Sequence, residues 1–72
     1  MNIKQFKQIE DIQSFTNKLI GICQERLKIL LKEREHASES VIPEINRRIE
    51  LRQELIQGFN KISKERIREI FN

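Results

Sequence analysis

Glu39-Ser40-Val41-Ile42-Pro43-Glu44, near the middle of the 72-residue chain, decides the fold. Proline has no backbone N–H to donate, and its ring strikes the carbonyl four residues back, so it breaks a helix interior. The residue before it, Ile42, is pushed out of the α region. In a first turn both objections lapse, because the N–H groups there have no partner inside the helix. Ser38 and Ser40 are candidate N-caps, since a serine hydroxyl accepts from a free first-turn N–H. Glu44 falls in that first turn, and Arg34 and His36 close the segment before it, both favoured by the helix dipole. The stretch therefore predicts one helix over about residues 4–37, a turn over 38–42 and a second helix over about 43–70. Together they form a single helical-hairpin domain spanning 1–72.

Outward from the turn, both arms keep a helical period. At about 100° per residue, Ile9, Ile12, Phe15, Thr16, Leu19, Ile22, Cys23, Leu27, Leu30 and Ala37 cluster on one side of the first arm. Ile20, Leu31 and Ile29 widen that arc, and Glu10, Ser14, Asn17, Gly21, Glu25, Lys28, Lys32 and Glu35 stand opposite. An apolar arc this wide exceeds what one neighbouring helix covers. Ile3 and Phe6 lie off its centre, so the start of the helix is placed only to within a few residues. In the second arm Ile45, Ile49, Leu55, Ile56, Phe59, Ile62, Ile67 and Ile70 share a side, with Leu51 and Phe71 at its edges. Gly58 sits near the boundary, where a neighbouring backbone could approach. A period of two is sustained nowhere, so strands are not expected.

Arginine is out of pattern. Arg48, Arg52 and Arg66 fall within or beside the apolar arc of the second arm, and Arg26, Arg34 and Glu33 do so in the first. Such charges must pair, run to an edge or face a partner, because a buried unpaired charge costs several kcal/mol. An antiparallel fold would bring Glu33 to Arg47 and Arg48. Arg48, Arg52 and Arg66 are the candidate contacts to a partner or ligand.

Composition narrows the function. A chain of this length forms one domain and buries little of its surface without help. Cys23 is its single cysteine; on an apolar face it reads as a small core residue, in keeping with a reducing compartment. The N-terminus has no signal-like apolar run and no segment reaches membrane-spanning length, so a cytoplasmic location is expected. Fourteen basic against eleven acidic residues give a net charge of +3 with the signs interspersed, unlike the single-sign patch of a strong nucleic-acid binder. The excess of isoleucine over leucine, with abundant lysine and asparagine, is the usage of an AT-rich genome, as in low-GC bacteria and their mobile elements.

Two arms of about 30 residues each reach about 45 Å, and laid antiparallel they form an all-α two-helix hairpin. Half of each wide arc would then lie in water unless covered. A second copy, completing a four-helix bundle, is the first expectation for the partner; a different helical protein is the second. Ile12, Leu19, Cys23, Leu30, Ile45, Ile49, Ile56, Phe59 and Ile70 are the expected assembly residues.

Chemistry finds little footing. No catalytic residue, cofactor or metal ligand set is assigned: one His, one Cys and four scattered serines lack partners at a working spacing, and no glycine-rich phosphate loop is present. The inward arginines superficially resemble those of the all-helical chorismate mutases, but no motif of that family aligns position by position. Gln53-Glu54-Leu55 resembles the centre of the Ser-Gln-Glu-Leu-Asp signature of the helical-hairpin phosphatases acting on sporulation regulators. Here Arg52 replaces the serine and Ile56 the aspartate tied to the chemistry, so that activity does not carry over. The expected function is a non-catalytic regulator, adaptor or inhibitor acting through helix faces. The alternative is a small basic dimer contacting RNA or DNA phosphates through Arg47, Lys61, Lys64 and Arg68. Glu50 and Glu54 share that ridge and no aromatic interleaves it. Membrane-surface binding is disfavoured by the interrupting acidic residues and the lack of Trp.

Overall fold

Asn2 starts the first helix. Its side chain accepts from the Gln5 N–H at 2.9 Å, and the Gln5 side chain accepts from the Asn2 N–H at 3.2 Å. This reciprocal box satisfies two groups a helix N-terminus otherwise leaves bare. In the computed structural model, which describes residues 2–71, α1 runs over Ile3–His36 and α2 over Ile42–Phe71. Met1 and Asn72, the ends of the expected 1–72 unit, lie outside the described residues. The fold is an all-α antiparallel hairpin, and among the described residues there is no strand.

The turn is built without a left-handed residue: among the described residues none has positive φ. Ala37 ends α1 in extended conformation and its N–H bonds the Arg34 carbonyl at 3.4 Å. The Val41 N–H then bonds the Ser38 carbonyl at 3.0 Å, and the Val41 carbonyl accepts from Ile45 at 3.2 Å. Val41 is thus the residue at the cap position, and Pro43 stands second in α2, where its missing N–H costs nothing. The expected serine caps do not form. Ser38 Oγ and Ser40 Oγ lie 3.2 Å apart and bond each other instead, because α2 begins beyond their reach.

Two cross-helix bonds set the register. Arg34 Nη1 donates to Asn46 Oδ1 at 3.0 Å beside the turn, and Gln5 Nε2 donates to the Ile70 carbonyl at 3.3 Å at the open end. The second also satisfies a last-turn carbonyl of α2 that no helix N–H can reach.

The core is thin and lies toward the turn. Leu30, Ile45 and Ile49 form its buried cluster, with Leu27 and Ala37 packed against it, and Cys23 is buried farther along α1. Beyond Cys23 the seam is only half-buried, through Leu19, Thr16, Ile12 and Ile9 on α1 and Ile56, Phe59, Ser63, Ile67 and Ile70 on α2. Thr16 fits there because its hydroxyl donates back to the Ile12 carbonyl at 2.7 Å, the usual local bond of a mid-helix threonine.

Candidate functional site

The Cα trace measures 55 × 16 × 9 Å, a flat plank with two broad faces. The nine expected assembly residues lie along the seam between the two helices of one chain. Cys23, Leu30, Ile45 and Ile49 are buried, and Ile12, Leu19, Ile56, Phe59 and Ile70 are half-buried. The seam leaves part of the wide apolar arc uncovered.

Most of that uncovered part gathers on one broad face, while Leu31 is exposed at the other edge of the arc and Val41 in the turn. Phe15, Ile22 and Ile29 recur every seven residues on α1, exposed by 65%, 59% and 49%. Leu51 and Ile62 on α2 are exposed by 52% and 56%. Phe15 and Ile62 line one groove with Leu19, Phe59 and Arg66, of about 320 Å³. Ile62 and Phe59 also line a second, of about 220 Å³, with Leu51, Leu55 and Gly58. The two grooves share side chains, so the apolar surface runs on along α2. A smaller exposed set, Ile3, Phe6 and Phe71, stands at the open end. The sequence signal for this stripe was that Phe15, Ile22 and Ile29 each precede a seam residue, Thr16, Cys23 and Leu30, by one position, about 100° round the helix.

The arginines resolve differently from the expected Glu33 pairing. Arg48 Nε meets Glu44 Oε1 at 3.4 Å, one turn back on its own helix. Arg34 is taken by Asn46, and among the described residues Glu33 forms no ion pair with Arg47 or Arg48. The reason is burial: among the described residues no polar or charged side chain is buried, so nothing compels pairing. Arg26, Arg34, Arg48 and Arg66 are exposed, and Arg52 is half-buried on the seam with its long stem covering apolar surface. Arg66 borders the apolar groove and, on its other side, a shallow depression lined by Gln8, Asp11 and Glu69. At most, then, Arg66 and Arg48 flank the apolar face, and Arg52 belongs to the seam.

Arg47, Lys61, Lys64 and Arg68 are all exposed on the side of α2 away from α1, where Glu50 and Glu54 also stand. Gly21 and Gly58 have no atom within 4 Å of where a Cβ would be. The close approach foreseen at Gly58 is therefore not made within the chain. Among the described residues, no helix is long and apolar enough to cross a membrane. Nor do three His, Cys, Asp or Glu side chains among them group to hold a metal ion. Comparison with protein-family models, curated proteins and solved structures finds no match for this chain.

Proposed function

We propose that this chain is a non-catalytic interaction module, a small helical regulator, adaptor or inhibitor that works by presenting one face of the hairpin to another protein chain, a second copy of itself or a different helical protein. The observation that carries this reading is the stripe of Phe15, Ile22, Ile29, Leu51 and Ile62, exposed together on one broad face. Contiguous apolar surface of that kind on a small protein marks an interaction site. The experiment places a photo-crosslinking residue at Ile22 on the stripe or at Glu10 on the polar back, in living cells. Protein adducts from Ile22 and not from Glu10 are the expected outcome. Equal yields from the two positions, or none from Ile22, would overturn the reading.

A second reading, contact with nucleic-acid phosphates, is supported by the outward side of α2. Lys61, Lys64 and Arg68 are exposed there at i, i+3 and i+7, and among the described residues none of them is in an ion pair. It predicts that log K falls with log salt by about 0.9 per phosphate neutralised on duplex DNA, and that Ala at all three positions removes binding. Salt-independent binding, or none at low salt, would dismiss it.

A further inference from the structure

The surface that needs covering is large for the chain. Accessible area is 6132 Å², against about 4,700 Å² for a compact monomer of 8.7 kDa. The Cα radius of gyration is 16.7 Å, where a compact domain of this length has about 11 Å. A face of 55 × 16 Å offers on the order of 800 Å², the area each partner gives to a standard stable interface.

Resting on the reading above, we infer that the occupant of the apolar face is a second copy of this chain, stacked face to face with both turns at the same end. The stripe is central and self-matching. Ile22 lies midway between Phe15 and Ile29, and the groove-lining pairs put Phe15 level with Ile62. A copy related by a two-fold axis along the plank lays α1 of one chain over α2 of the other. Phe15 then meets the level of Ile62, Ile22 that of Leu55, and Leu51 lies within a turn of the level of Ile29. Gly58, with open space where its Cβ would be, lies within a turn of the level of Ile22 of the other copy.

Charge selects this arrangement over the stack with turns at opposite ends. Asp11 and Arg66 line one depression and so share a level. Arg34 is level with Asn46, which puts Glu33 within a turn of Arg48. In the same-end stack Asp11 therefore faces Arg66 of the other copy, with Glu69 in the same depression, and Glu33 faces Arg48, which also pairs with Glu44 of its own helix. In the opposite-end stack, centred on Ile22, Asp11 stands opposite Glu33 and Arg48 opposite Arg66. Like charges placed so cost specificity and affinity. Arg26 and Arg52 share a level in the same-end stack, and their guanidiniums must run out to the rim, as long arginine stems permit.

Light scattering on the full chain tests the occupant, and spin labels at Ser40→Cys in a Cys23→Ala background test the arrangement. Twice the chain mass is expected, with the two turns about one helix spacing, roughly 10 Å, apart and the labels separated by that distance plus their own reach. Labels about a plank length apart, 55 Å, would overturn the same-end stack. A helical monomer at tens of micromolar would overturn the second copy. Ile22→Glu with Ile62→Glu should return the mass to monomer, and Ile22→Ser with Ile62→Ser, which disturbs folding less, should weaken dimerisation at least tenfold. Full dimer mass in both variants would overturn the proposal. Crosslinks from Ile22 to a different protein alone would remove the second copy and leave the interaction reading intact. Loss of any Ile22 preference in crosslinking would remove both.

Discussion

At the scale of single residues, the two glycines separate helix propensity from packing. Both are mid-helix, and neither has an atom of its own chain within 4 Å of where a Cβ would stand. Gly21 faces away from the seam, at the outer border of the stripe beside Ile22 and Ile29, so Gly21→Ala should stabilise the protein by about 1 kcal/mol, the cost of glycine in a helix interior. Gly58→Ala should gain the same only if nothing approaches that face. A denaturant titration of both variants at one concentration reads the difference, and a gain at Gly58 clearly smaller than at Gly21 is expected. Equal gains would mean the face above Gly58 stays open. The capping box of Asn2 and Gln5 was not read from the sequence, because the off-centre Ile3 and Phe6 obscured where the first helix begins. Nor was the bond from Gln5 to the Ile70 carbonyl, because it joins residues 65 apart.

At the scale of the helices, stability is distributed unevenly along the seam. The buried cluster of Leu30, Ile45 and Ile49 lies beside the turn, while the open end is only half-buried. Ile49, exposed by 7%, is the position where truncation leaves a cavity, and Ile49→Ala should cost about 2–5 kcal/mol. Ile67, half-buried toward the open end, should cost about 1 kcal/mol on the same change, because solvent already reaches it. Equal losses in chemical denaturation would mean the open end is packed as tightly as the turn. The ion pairs add little to this balance. Lys28–Glu25 and Arg48–Glu44 both join side chains more than half exposed, where water and salt screen the attraction.

At the scale of the whole molecule, a hairpin with four buried side chains among its described residues has little core to set against the conformational entropy of its residues. Covering the apolar face is the available remedy, and it ties folding to association. Tm should then rise with protein concentration, a hundredfold increase being worth about 2.7 kcal/mol by mass action. Calorimetry or circular dichroism across that range reads the shift. A Tm independent of concentration would mean the single hairpin carries its own stability.

Locally encoded features were determined by the sequence alone. Pro43 has no N–H wherever it stands, so the helix had to restart there. The 100° period assigns each residue an azimuth on its helix without reference to any neighbour, so the apolar side of each arm could be read from the sequence. Tertiary structure decided how each wide arc is divided. An arc broader than one neighbour can cover does not say which part is covered first. The direction from which α2 approaches α1 assigned Leu30, Ile45 and Ile49 to the core and left Phe15, Ile22 and Ile62 in water. The same approach kept the arginines out of the interior, leaving Arg48 to its local pair with Glu44 on its own helix instead of Glu33. Azimuth is a property of one helix, whereas burial depends on two.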